Sequence, residues 1–288
     1  MTIGVFLTAL LPLAVAVIMF SLGLGLTPSD FGRIARRPRA FCIGALNQVV
    51  LLPLVAYGII AVFGFTGETA VGIMILAACP GGAASNIITK MAKWDVALSV
   101  TLTASFSLSC VLTLPLVLSF AVWRFMGETA PDIDIASTTF TAFLLSALPI
   151  AMGVALRAIA PTRVAAVAPV LGRVAVVLFF GVIIGAIWTN WIIVLENFAR
   201  LGPGLFALVA AVSVIAYAVS RGLRASDAAA KTISIETGVQ NGALALAISG
   251  LLVADGPVFN AYSVPAALYS VVWLTTAMPA FLFLAGRR

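Results

Sequence analysis

Apolar residues run in stretches of roughly twenty along most of the chain, separated by short polar or Gly/Pro-bearing connections such as Thr27-Pro28-Ser29-Asp30, 64–68, 127–134 and Ala160-Pro161-Thr162-Arg163. A stretch of that length with few charges crosses a bilayer as one helix. The stretches lie at about 4–26, 41–63, 69–89, 96–123, 138–158, 166–189, 202–220, 228–252 and 259–285, which predicts nine transmembrane helices. The runs are continuous rather than alternating, which sets a β-barrel aside. Two stretches differ from the rest. The third carries Cys79-Pro80-Gly81-Gly82-Ala83-Ala84-Ser85-Asn86, and the eighth carries Ser234-Ile235-Glu236-Thr237-Gly238-Val239-Gln240-Asn241-Gly242. Proline removes a backbone donor and glycine loosens the chain, so both helices should break at bilayer depth. Such breaks are tolerated where they line a cavity or are buried in protein. Five helices apart, the two run in opposite directions, as inverted repeats require. Spans 5–9 would form one five-helix repeat, and spans 1–4 a second lacking its first helix.

Composition agrees: 62% of the 288 residues are hydrophobic and 9% charged, against about 25% charged in a soluble domain. The expected fold class is an all-α polytopic membrane protein, a single transmembrane domain over residues 1–288. The net charge of +6 suggests no nucleic acid, because the basic residues sit in short loops where they set topology. With the first loop cytoplasmic, Arg33, Arg36, Arg37, Arg39, Lys90, Lys93, Arg157, Arg163, Arg173, Arg221, Arg224, Lys231, Arg287 and Arg288 fall on or near the inside. Only Arg124 and Arg200 fall outside, where Glu68, Glu128, Asp132, Asp134, Glu196 and Asp255 gather. The reading is N-terminus out and C-terminus cytoplasmic, in the cell's inner membrane. No basic residue precedes the first apolar run, and the run is too long for a signal peptide, so it reads as a membrane helix. Arg173 lies well inside its stretch, either snorkelling or marking a sixth helix that starts late. Cys42, Cys79 and Cys110 all lie in apolar stretches and read as small buried hydrophobes, at spacings that match no zinc site. Histidine is absent, which removes the commonest metal ligand and general base. With no buried carboxylate pair and no nucleophile–base motif, an enzyme is not expected.

Glu236 is the one acidic residue placed deep in a membrane stretch. A charge there is costly unless paired, and marks a functional site by default. Lys231 is five residues away, off-register for a helical pair, and can snorkel to the cytoplasmic face. Glu236 sits among hydroxyls, amides and flexible backbone, which suits a small hard cation such as sodium. Ser85 and Asn86 offer oxygens beside the first break. Ser99 and Thr103, four apart, share one face of the next helix. Thr101, Ser105 and Ser107 read instead as hydroxyls bonded back to their own helix or packing it. Gln240 lies one turn after Glu236, with Asn241 next to it; both amides, like Asn47 and Gln48 in the second stretch, can also serve as helix-packing groups. Half-helix N-termini favour an anion and freed carbonyls a cation, so one crossing can hold both.

At Cys79-Pro80-Gly81-Gly82 with Ala84-Ser85-Asn86, at Glu236-Thr237-Gly238-Val239-Gln240-Asn241, and at Met19-Phe20 to Gly23-Leu24 running into Ser29-Asp30-Phe31, the chain resembles the bile acid:sodium symporter family, over essentially its whole length. The resemblance implies a panel domain (about 1–40 and 138–189) and a core domain (about 41–123 and 202–285) with spans 3 and 8 crossing. It implies two sodium ions: the first held by Ser85, Asn86, Ser99, Thr103 and Glu236, the second by Gln48, Glu236 and Gln240 with carbonyls near Thr237 and Val239. Asn241 and the Ala83-Ala84 backbone would face the organic anion. The chain departs from relatives with Ala at 83, where many have Thr, and with Trp273-Leu274, where some bacterial members carry a His-Asn pair. These departures favour a small carboxylate such as pantoate or pyruvate over bile acid. The expected partners are that anion and the lipid bilayer, with no obligatory protein partner. Proton coupling through Glu236, or an anion sensor or scaffold that moves nothing, are the alternatives.

Overall fold

The computed structural model describes residues 3–27, 29, 30, 32, 38–130, 133–250, 252, 253, 259–277 and 281. Of the residues used above for topology and motif, Phe31, Arg33, Arg36, Arg37, Asp132, Asp255, Arg287 and Arg288 lie outside the described residues. The described chain is helical, without strands: α1 (Ile3–Leu24), α2 (Pro38–Phe63), α3 (Gly67–Ala78), α4 (Ala83–Met91), α5 (Val96–Phe125), α6 (Ile135–Ile159), α7 (Pro161–Thr189), α8 (Trp191–Gly222), α9 (Asp227–Gly238), α10 (Gly242–Gly250) and α11 (Val264–Val272). Among these α2, α5, α6, α7 and α8 are long and apolar enough to cross a membrane. Side chains such as Leu112, Leu116, Val177, Ile184, Trp188 and Ile192 stand exposed on them. An apolar outer surface of that kind suits lipid tails. The chain is a multi-pass membrane protein.

Local chemistry explains several boundaries. Asp95 accepts from the Leu98 amide at 3.1 Å, Asp134 from Ser137 at 2.9 Å and Ser226 from Ala229 at 3.2 Å, capping α5, α6 and α9. Gly64 ends α2 at φ 67°, a conformation that favours glycine. Three helices widen into a π-helical turn, at Leu46–Leu51, Phe143–Ala147 and Trp273–Ala277. The first two of these turns stop two residues before a proline, Pro53 and Pro149. A proline ring has no N–H and collides with the carbonyl four residues earlier, and one wide turn relieves both problems.

Helix α1 packs against α6 and α7, and α1 and α7 both touch α10. A methyl at Gly23 would strike the Ile150 carbonyl, and one at Gly153 the Phe20 carbonyl, so α1 and α6 cross backbone to backbone. Helix α3 packs on α2, α5 and α11, and α8 on α2, α9 and α11.

Four expectations need correction. Helix α8 starts at Trp191, well before the expected 202. Glu196 and Arg200, four residues apart, are both exposed on one face of this extra length, so the helix outruns its apolar stretch. The last helix starts at Val264 rather than 259, because Asn260 and Ser263 close a turn in which each side chain bonds the other's backbone. Helix α7 is continuous from Pro161, so Arg173 marks no late start; it is exposed and its guanidinium reaches the Pro169 carbonyl at 3.4 Å. Cys42 is exposed on α2, whereas Cys79 and Cys110 are buried.

Candidate functional site

The two interrupted helices meet at their breaks. After α3, residues 79–82 leave the helix, with Cys79 and Gly82 extended. After α9, Val239 is extended too. Gly81 and Gln240 pair as an antiparallel bridge, and the Asn241 amide donates to the Pro80 carbonyl at 3.0 Å. The breaks therefore satisfy part of each other's freed backbone, as a buried interruption must. Glycine is required where they touch. A methyl on Gly81 would run into the Glu236 carboxyl, and one on Gly242 into Ser270 Oγ.

Glu236 is 1% exposed. Thr103 Oγ1 donates to its Oε1, and Ser99 Oγ stands 3.1 Å from its Oε2. Asn86 Oδ1 is in the same cluster, 2.7 Å from Ser99 Oγ and 3.4 Å from Thr103 Oγ1, and the Ser99 carbonyl lies 3.0 Å from Thr103 Oγ1. Each hydroxyl carries one proton. The Ser99 and Thr103 protons are shared among both carboxylate oxygens, one amide oxygen and one carbonyl, Ser85 also reaches the carboxyl, and Asn86 Nδ2 is buried without a partner among the described residues. No basic side chain among the described residues pairs with Glu236, and Lys231 instead pairs with Asp227 at 2.7 Å. Ser85 Oγ, also fully buried, donates to the Gly82 carbonyl at 2.6 Å.

One turn along, Gln48 Nε2 donates to the Cys79 carbonyl and to Gln240 Oε1, both at 2.9 Å. Gln240 Nε2 donates to the Thr237 carbonyl at 2.6 Å, with the Glu236 carbonyl at 3.4 Å. Gln48 Oε1 is buried with no partner among the described residues. The π-helical turn of α2 holds Gln48 here. Val239 is buried at the break, and Tyr269 of α11 donates to the neighbouring Gly238 carbonyl at 2.7 Å. The expected ligand residues thus fall into two adjacent oxygen-rich clusters, built on α2, α4, α5 and α9.

Asn241 caps α10 by accepting from the Leu244 amide at 3.1 Å, and its Nδ2 lies 3.8 Å from Met19 Sδ. Ala83 and Ala84 open α4, whose N-terminus has no side-chain cap. Thr101 and Ser107 bond back to Ala97 and Thr103 carbonyls at 2.7 Å each, as expected of packing hydroxyls, but Ser105 Oγ does not: it is buried without a partner among the described residues. One residue that sequence reasoning gave no role in the site stands close to it. Asp95 donates its backbone N–H to Thr232 Oγ1 at 3.1 Å, tying the start of α5 to α9 just below Ser99 and Glu236. Trp273 lines a cavity of about 180 Å³ beside Ala84.

The profile of the family described as Sodium Bile acid symporter matches residues 12–197. The chain is similar to "Uncharacterized sodium-dependent transporter YocS" of Bacillus subtilis (strain 168), 29% identical over 88% of this chain and 76% of that protein. It is similar to "Probable sodium/metabolite cotransporter BASS2, chloroplastic" of Oryza sativa subsp. japonica, 30% identical over 82% of this chain and 55% of the rice protein. It is also 28% identical to "Sodium-dependent organic anion transporter" of Bos taurus, over 81% of this chain and 62% of the bovine protein. The chain thus spans little more than half the length of the rice relative.

Proposed function

The chain belongs to the sodium bile acid symporter family, and we propose that it couples sodium entry to uptake of a small organic anion. Ser85, Asn86, Ser99, Thr103 and Glu236 hold one ion. Gln48, Glu236, Gln240 and carbonyls near Thr237 and Val239 hold the other. The observation that carries this reading is the Glu236 cluster. A buried carboxylate is ringed by hydroxyl, amide and carbonyl oxygens at the crossing of two broken helices, with no basic partner among the described residues. A proton would complete the carboxyl but leave the buried Gln48 Oε1 without a partner, whereas cations among these oxygens would use both, which favours sodium over proton coupling.

Charge balance supports two ions and one monoanion. Two sodium ions add two positive charges; Glu236 and one carboxylate add two negative ones. The loaded centre is neutral and the empty one carries a single charge at bilayer depth, where charge is costly. Neutrality lets the core move against the panel, exposing the site alternately to the two sides. The topology proposed with it is nine spans, N-terminus out and C-terminus in, in the cell's inner membrane, with α1, α6 and α7 as the panel and the other helices as the core. A carboxylate of pantoate or pyruvate size is favoured over a bile acid.

The test is thermal stability of the purified protein in sodium against potassium chloride at equal ionic strength. Wild type should show a sodium-specific rise, and Glu236→Ala should fold yet lack it. A Glu236→Ala protein with an undiminished sodium response would remove the site.

A further inference from the structure

We propose that the seam between α5 and α6 holds one acyl chain of a phospholipid with an amine headgroup. The two helices are in contact, but a groove of about 630 Å³ parts them along one stretch. Val111, Pro115 and Ser119 of α5 form one wall, and Ile135, Thr139 and Phe143 of α6 the other. On each helix these residues recur at every fourth position, so each wall is a single helix face. The sequence gives a reason for the gap on both sides. Pro115 has no N–H, and its ring collides with the carbonyl of Val111. Helix α6 widens into its π-helical turn at Phe143. Neither helix offers the other a regular ridge here. The site stands without the transport reading above; on that reading it lies between core and panel.

The bilayer supplies the occupant. Leu112, Leu116, Phe140 and Leu144 flank the groove and are all exposed, so it opens onto the apolar surface that faces lipid. Its hydroxyls are engaged within their own helices. Ser119 donates to the Pro115 carbonyl at 2.6 Å and Thr139 to the Ile135 carbonyl at 2.7 Å. An ordered water needs several polar partners, and these walls offer no spare donor to hold one. Hydrocarbon fills such a groove, because an empty one forfeits dispersion contact along both walls. The length agrees. Val111 to Ser119 spans about 12 Å of helix, against about 15 Å for one leaflet's half of the hydrocarbon core. Charge then selects the headgroup. Ile135 lies at the end of the groove nearest the α5–α6 connection, and Asp134 before it is exposed. The connection carries Glu128 and Asp132 as well. Arg124 is engaged with α2 instead: its Nε donates to the Tyr57 hydroxyl at 3.1 Å, and its guanidinium lies over the Tyr57 and Phe125 rings. An acidic rim attracts an ammonium and repels a headgroup of net negative charge.

The experiment places the full chain, freed of its own cysteines, in vesicles of mixed phosphatidylethanolamine and phosphatidylglycerol. A bimane fluorophore is attached at Leu116→Cys beside the groove, or at Val177→Cys on the exposed face of α7. In each sample one of the two lipids carries bromine on its chains, which quenches bimane on contact. Quenching is read against vesicles without bromine. At Val177→Cys the two lipids should quench alike. At Leu116→Cys brominated phosphatidylethanolamine should quench severalfold more than brominated phosphatidylglycerol. Ala136→Phe fills the groove from α6 and should bring Leu116→Cys to the Val177→Cys pattern. Ser119→Leu, which fills it from α5, should do the same. Equal or reversed quenching at Leu116→Cys would overturn the inference, as would a preference that survives both filled-groove variants. An amine preference of the same size at Val177→Cys would mark a property of the whole lipid-facing surface, and would overturn the site as well.

Discussion

At the scale of single residues, the centre depends on Glu236 and on the room left for it. Gly81 sits where any side chain would enter the carboxyl. Gly81→Ala therefore displaces Glu236 or strains the Gly81–Gln240 bridge. Overpacking of this kind costs about 1–3 kcal/mol. Melting scans should show a drop of several degrees, together with a weaker sodium response; an unaltered sodium response would mean that the carboxylate's position is not critical. The Glu236 chemistry was legible in the sequence, because a carboxylate amid apolar residues is conspicuous. Helical register separates Ser99 and Thr103 from Thr101 and Ser105, the family resemblance selects the first pair, and the structure puts that pair on Glu236. The unpaired Ser105 hydroxyl was not foreseen, and nothing in the structure explains it.

At the scale of elements, prolines do more than break helices. Pro53 forces the wide turn that carries Asn47 and Gln48. Pro53→Ala restores the missing N–H and relieves the clash with the carbonyl of Val49, so the turn can tighten to α-helix. That turns Gln48 away from the Cys79 carbonyl and Gln240. The expected outcome is a protein as stable as wild type or more so, whose sodium affinity falls severalfold in titrations followed by thermal shift. Equal affinity would show that the wide turn has no part in ion binding. The Cys79-Pro80-Gly81-Gly82 and Gly238-Val239 breaks were legible, because proline and glycine interrupt a helix wherever they stand. The π-helical turns were not, because a proline inside an apolar run is compatible with a kink, a break or a bulge. Helix ends were legible only where lipid defines them. Helix α8 extends over Glu196 and Arg200 into the polar region, where hydropathy has no signal to give.

At the scale of the whole molecule, the charge pattern and the charge balance make separate predictions. In a cysteine-free background, a single cysteine at Arg200 should react with an impermeant maleimide in intact cells, and one at Arg224 only after permeabilisation. The reverse labelling would invert the topology. Two sodium ions entering with one monoanion carry one net positive charge inward per cycle. Uptake of a saturating acid by vesicles should therefore rise when the interior is made negative, and indifference to potential would reject the two-ion count. Amino-acid order by itself determined that this chain is built of apolar helices suited to lipid, where two of them break, and that one carboxylate lies among oxygen-bearing groups. Those features are local, set by hydropathy, proline and glycine within a few turns. Only the tertiary structure decided that the breaks pair and that Ser99 meets Glu236 across 137 residues of chain. Such contacts depend on how helices distant in sequence pack side by side, and that packing is fixed by backbone approach at residues like Gly81 and Gly153 rather than by any periodicity along the chain.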